Sequence, residues 1–315
     1  MYRRLFLYNA YILNKGFIII ANTQTIAEQF NAFHTNFKPK NLESALELFA
    51  IFGGVEWGNI EIDKEPYELI EKLILNDYSY IRNDISDLTT GMPLYHTILT
   101  GIAMGDGRTH SAFKRAGVES EVGMKAIDEL CELGVIKKEL SKKEFTTWSE
   151  DYKSSDKLIF TTPFLQFWFT FISPLFKGIR DGDYKEVQDR YQNRKVDITT
   201  LVFKQLSQEL VKNSFKNDPL TISGSFWKKD IAIDIYAKTK SGKIIVGDCS
   251  YSNSKMKKNA LTKLQEKSKH AEIKPDIFVL ISKNGFSNEL KSLKSENLKL
   301  YTLKNFRNLI YETNS

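Results

Sequence analysis

The sequence predicts an α+β chain, helical in its N-terminal part and built around a mixed central sheet in its last third. Three observations carry this. Residues 42–53 and 66–80 place apolar side chains at helical spacing (Leu42, Ala45, Leu46, Phe49; Leu69, Ile70, Leu73, Ile74),. Residues 93–147 order themselves as three helices and two short strand-like runs,. From residue 220 onward, strand-like runs alternate with helical ones, the pattern of one sheet covered by helices,.

The N-terminus begins like a secretion signal, with Arg3-Arg4 ahead of apolar residues, but Asn9, Asn14, Lys15 and Gly16 interrupt it and no small-residue cleavage site follows,. We read it as an extra strand or an ordered extension of a lead-in that covers residues 1–90. No apolar run reaches about 18 residues, so no membrane contact is expected,. Cys131 and Cys249 stand apart in apolar surroundings, which argues against a disulfide framework or a zinc site and for a reducing, cytoplasmic setting,.

Residues 91–150 read as a winged helix-turn-helix, with helices at 94–104, 108–116 and 120–133 and strand-like runs at 135–140 and 143–147,. Its third helix and lead-in carry Glu119, Glu121, Asp128, Glu129 and Glu132 against Lys125, a poor match for a groove lined with phosphates,. Basic residues gather in the wing instead, at Lys137, Lys138, Lys142 and Lys143. The module is therefore expected to pack or to hold a protein partner more than to read bases. Residues 151–195 form an aromatic-rich connector, in which Phe164, Phe167, Trp168, Phe169 and Phe171 are expected to clamp the two halves together,.

Charge is unevenly spread along the 315 residues. Of 45 Lys+Arg and 39 Asp+Glu, residues 201–315 hold 21 and 11, so this stretch alone is +10 against a chain total of +6 and residues 1–200 are net acidic. That bias points to DNA or RNA as the partner of the C-terminal domain, taken as 196–315, with Lys228, Lys229, Lys255, Lys257 and Lys258 as candidate phosphate contacts,.

Within that domain the expected order is a helix at about 197–213, strands at 220–227, 230–239 and 243–251, a helix at 256–271, a strand at 276–282, and a final helix and strand. If Lys240-Ser241-Gly242 is a three-residue hairpin loop with Gly242 in the left-handed position, Thr239 pairs with Lys243,. Asp234 then lies opposite Asp248, and Ala232 opposite Ser250, on one face. Ile231, Ile233, Ile235, Ala237, Ile245, Gly247, Cys249 and Tyr251 collect on the other as a core,. A two-residue turn would separate the aspartates. Two facing carboxylates with Cβ atoms roughly 4.5–5.5 Å apart repel unless a cation or proton lies between them, which makes Mg²⁺ or Mn²⁺ a candidate cofactor.

Phe226-Trp227, the run Ile233–Ala237, Gly247–Tyr251 with Asn253, Leu264 and Lys267, and Ile281–Phe286 resemble the C-terminal region of the archaeal-type ATPases over about residues 90–290. In that family a winged helix is typically followed by a nuclease-like domain of the PD-(D/E)XK, restriction-endonuclease-like superfamily. The resemblance implies that Asp234 matches the metal-binding aspartate and Asp248 the acid of a Glu-Cys-Lys motif. Two departures weaken the cutting site: the motif's lysine is Ser250, and a glutamate two residues before the aspartate is Ala232. No GxxxxGK[ST] phosphate loop occurs, so the ATPase half is missing,.

A replacement cation is sought on the following helix, at Lys263 and Lys267, or at Lys255, Lys257 and Lys258,. The expectation is thus a nucleic-acid-binding protein whose metal-dependent phosphodiesterase activity is weak or absent, with Asp234, Asp248, Lys263 and Lys267 as its site. The alternative is a non-catalytic adaptor that holds a protein partner through the winged helix and the acidic N-terminal half.

Overall fold

The computed structural model describes residues 17–18, 24–139, 141, 156–228 and 231–311. The chain divides into two compact units, Met1–Lys138 with Lys153–Ile198, and Glu139–Tyr152 with Thr199–Ser315. Helices and a five-stranded mixed sheet make it an α+β protein. The expected N-terminal extension falls mostly outside the described residues. Phe17–Ile18 (β1) pairs antiparallel with Glu56–Trp57 (β2). Among the described residues no helix is long and apolar enough to cross a membrane.

The first unit opens on α1 (Ile26–Phe37), started by a capping box between Thr25 and Glu28, and α2 (Leu42–Phe52), capped by the Asn41 side chain,. Where one helix was expected over 66–80, α3 (Pro66–Ile70) passes into a π-helical turn at Glu71–Leu75 and stops. A new helix, α4 (Tyr78–Leu88), begins after Asp77, whose backbone leaves the helical region. Apolar spacing continued across this break, so periodicity alone could not show it.

Next come α5 (Pro93–Ala103), α6 (Thr109–Ala116) and α7 (Ser120–Glu132), then strand β3 (Ile136–Glu139). The strand that pairs with β3 is β4 (Lys157–Phe160). The run expected at 143–147, with Lys142 and Lys143, lies outside the described residues.

The aromatic connector forms α8 (Pro163–Phe167), a π-helical turn (Trp168–Ile172), a short 3-10 turn (Ser173–Leu175) and α9 (Phe176–Arg180). Phe164, Phe167, Trp168, Phe169 and Phe171 are fully buried, and their partners belong to the first unit: Phe164 meets Trp57, Trp168 stacks on Tyr78, and Phe171 meets Tyr191. This corrects the clamp expectation, because these aromatics form the first unit's own core. Large, rigid rings supply much buried area per residue, which a mostly helical unit needs.

A 30-residue helix, α10 (Lys185–Ser214), runs along the chain from the first unit into the second. The sheet follows as β5 (Leu220–Lys228), β6 (Ile231–Thr239) and β7 (Ile244–Ser250), joined antiparallel. After α11 (Lys258–His270), β8 (Ile277–Ser282) adds parallel to β7. After α12 (Asn288–Ser292), β9 (Leu298–Thr302) adds parallel to β8. A 3-10 turn, Leu303–Leu309, ends the described chain.

The β6–β7 loop has the expected length. Thr239 donates its N–H to Lys243, Gly242 takes φ +90°, and Ile235 pairs with Gly247. Glycine is needed at that φ because a side chain would strain it.

The sheet is covered on both faces, which revises the one-sided core expected from strict alternation. Tyr236 and Val246 pack with Leu264 of α11 on one face. On the other, Phe203 of α10 stacks on Phe306 at 5.0 Å and meets Tyr251 at 5.4 Å. Ile233 joins the α11 face together with Tyr236 although the two differ in parity. The cause is a β-bulge. Gly224 pairs with Tyr236 while Phe226 pairs with Ile233, so two β6 residues, Asp234 and Ile235, stand where β5 offers only Ser225,.

Candidate carboxylate–lysine site

The bulge breaks the backbone ladder at Asp234, and side chains take over its hydrogen bonds. Its carbonyl accepts from Gln208 Nε2 of α10 at 2.9 Å, and its N–H donates to Asp248 Oδ1 at 3.5 Å. Its own carboxylate fills a ladder position, with Oδ2 accepting the Cys249 N–H at 3.0 Å. A disrupted ladder must satisfy its polar groups in some way, and here the two acids do so reciprocally.

Each carboxylate also receives a lysine. Lys204 Nζ of α10 lies 2.7 Å from Asp234 Oδ1, and Lys267 Nζ of α11 lies 2.7 Å from Asp248 Oδ2. The Asp side chains are 19% and 17% exposed and the lysines 38% each, so the pairs are shielded but still reached by water. Two negative and two positive charges balance. Burial pulls the Lys204 ammonium down, but the charge and hydrogen bond of Asp234 outweigh it and hold the pKa above the usual lysine value. Burial pushes the Asp248 carboxyl up, and Asp234 adds to this, against the hydrogen bond from Lys267. The pKa of the half-buried Cys249 thiol is pushed well above its usual value, by burial first and then by the neighbouring Asp234 charge,.

A metal fits this arrangement poorly as it stands. Magnesium requires free oxygen ligands, yet all four carboxylate oxygens already accept, two from lysines and two from backbone N–H groups,. Among the described residues no three His, Cys, Asp or Glu side chains converge.

The structure therefore brings together Asp234, Asp248 and Lys267 of the four residues proposed to carry chemistry. Lys263, one helical turn before Lys267, is exposed and takes no part in the site's hydrogen bonds. Ala232 and Ser250 are not brought together as a cross-strand pair in the ladder: Ala232 pairs with Trp227 on β5, and the β6–β7 ladder ends at Ile235 and Gly247. The bulge that aims Asp234 displaces Ala232. Lys228, Lys255 and Lys257 are exposed, Lys258 is exposed but ion-paired with Glu289 at 3.2 Å, and Lys229 lies outside the described residues.

Lys204 and Gln208 escaped sequence reasoning. They flank the buried stripe of α10 at i,i+4, a spacing that many solvated helix faces share,.

Residues 168–264, which include both aspartates and Lys204, are similar to a protein family described as archaeal and bacterial proteins of unknown function. No curated protein and no solved structure matches the chain.

The raised Asp248 carboxyl yields a pH test. A carboxyl whose folded pKa exceeds its unfolded value adds stability below the unfolded pKa and loses it as pH rises through the folded one. Asp248→Asn is therefore expected to melt above the wild type at neutral pH, with the gap closing as pH falls toward the ordinary carboxylate range, about 4, and Asp248 itself takes up a proton,. Melting curves across that range decide it. A variant that melts lower at neutral pH would show that the Lys267 pair outweighs the burial cost.

Proposed function

We propose that this protein binds nucleic acid through its basic C-terminal unit, a restriction-endonuclease-like domain whose cutting site is degenerate. Magnesium-dependent phosphodiester cleavage is weak or absent. The observation that carries the reading is the doubly paired site: two aspartates at the β6 bulge and on β7, each neutralised by a lysine from a different helix. A mixed sheet flanked by α10 and α11, with acids on adjacent strands, is the scaffold such a reading needs. The three helices α5–α7 followed by β3 support taking that segment as a winged helix. Its acidic third helix, where Asp128 pairs with Lys138 and Glu129 accepts from Tyr95, argues against docking into a groove.

The phosphate-facing surface is then the loop leaving β7 and the start of α11. This loop is held in place: Met256 donates to Gly285, and Lys283 reaches Asn253 and lies 4.6 Å from the Tyr251 ring centroid. Lys255 and Lys257 project from it. Binding to duplex DNA or RNA of mixed sequence is expected to be steeply salt-dependent. Replacing Lys255, Lys257 and Lys258 by Gln together should weaken it more than replacing Lys137 and Lys138. Fluorescence anisotropy at two salt concentrations checks both points. Salt-independent affinity, or a larger loss from the Lys137/Lys138 variant, would place the binding face elsewhere.

One observation favours a second reading. Lys267 reaches Asp248 from α11, where it would supply the cation that Ser250 does not. Efficient Mn²⁺-dependent nicking of plasmid DNA by the wild type, abolished in Lys267→Ala, would make the protein an active nuclease with its lysine moved to the helix.

A further inference from the structure

Within the first unit, α4, α5, α6 and the segment around Trp168–Phe176 surround an open cleft of about 670 Å³. Small-molecule sites commonly span about 300–1,000 Å³. Arg82 of α4 and Arg115 of α6 line it, together with His96, Thr97 and Thr100 of α5 and Phe176. None of the described residues lining the cleft is acidic. Neither arginine takes part in the ion pairs found among the described residues; Arg115 donates only to the Ser111 carbonyl, at 3.3 Å.

Hydrogen bonds fix the tautomer of His96 in the cleft. The Thr89 hydroxyl gives its proton to the Ile85 carbonyl at 2.7 Å, so its oxygen accepts from His96 Nε2 at 2.9 Å. That assigns the His96 proton to Nε2 and leaves Nδ1 as an acceptor. Burial, reinforced by the Arg82 charge, lowers the His96 pKa and keeps the ring neutral. Phe176, 41% exposed, offers a ring face that water covers poorly.

We propose that this cleft binds a small phosphate monoester carried on a ring, the chemistry of a mononucleotide. The phosphate sits between Arg82 and Arg115, whose planar guanidinium groups match phosphate oxygens. The ring packs on Phe176, and hydroxyls of the bound molecule meet His96 Nδ1, Thr97 and Thr100. Nothing in this assignment depends on the Asp234–Asp248 site, which lies in the other unit.

Calorimetric titration of the full chain with AMP, adenosine and inorganic phosphate tests it. AMP is expected to saturate with a Kd below about 1 mM, with adenosine and phosphate each at least about tenfold weaker because each offers half of the contacts. Arg82→Gln with Arg115→Gln should weaken AMP by at least the same factor. Both side chains are exposed, so the variant should keep the wild-type melting temperature,. Absence of saturation by AMP, adenosine binding as tightly as AMP, or full affinity in the double variant would each overturn the proposal. The comparison of AMP with adenosine needs no variant at all.

Discussion

Replacing Lys204 and Lys267 together by Met is expected to tighten Mn²⁺ binding by about a hundredfold, without conferring DNA cleavage. In the wild type a metal must first displace both lysines from Asp234 and Asp248, each at 2.7 Å. A charge-assisted hydrogen bond contributes about 1.5–3 kcal/mol, and the lysines' partial exposure argues for the lower end. Two such pairs cost about 3 kcal/mol, close to two factors of ten in affinity. Met keeps most of the side-chain volume, so α10 and α11 retain their packing. The variant leaves two adjacent carboxylates with no cation, the condition under which a divalent ion binds best. Cleavage should not follow, because no lysine remains beside the bound metal to orient the attacking water and offset the charge developing on a phosphate. Calorimetric titration with Mn²⁺ and a plasmid nicking assay read the two outcomes separately. Unchanged Mn²⁺ affinity would mean that the lysines swing aside at no cost and that the pair is a metal site in the wild type.

The second large effect is expected at Gly247, immediately before Asp248. A Cβ there would lie 2.7 Å from the Val279 carbonyl oxygen and 3.3 Å from Ile235 Cβ, both part of the sheet framework. Backbone cannot retreat as a flexible side chain does, so even Gly247→Ala forces β7 away from β8. Overpacking of this kind costs about 1–3 kcal/mol. Gly247→Val adds two methyl groups at the same point and is expected to lose the cooperative melting of the second unit. Urea titration followed by circular dichroism measures the alanine variant. A midpoint within error of the wild type would show that the sheet accommodates a side chain there, and that Asp248 is not held by close approach of β7 to β8.

Much of the second unit was legible in the sequence because its signals are local. Alternation of Ile, Val and Tyr marks β6 and β7, and Lys240-Ser241-Gly242 sets the hairpin register through one residue able to take positive φ. That register alone implied that Asp234 and Asp248 meet. Lys267 was reachable too, since helical spacing places it three residues past the buried Leu264. In the first unit, the helices around Gly117 followed from short apolar periods and glycine breaks.

What the tertiary structure decided is whatever depends on residues distant in sequence. The β6 bulge arises from the match between β5 and β6 and leaves no mark in the β6 composition, yet it turns Asp234 toward Lys204 and carries Ala232 out of the pair expected with Ser250. Lys204 precedes Asp234 by 30 residues, on a helix whose polar positions all look alike in sequence. The aromatic run 164–171 read as a clamp because sequence shows hydrophobicity but not its partners; contacts with Trp57, Tyr78 and Tyr191 place it in one core. Composition and period determined which residues had to be buried and which strands had to pair. Only the packing of separate segments decided which charges face one another, because an ion pair is selected by three-dimensional distance and carries no period along the chain.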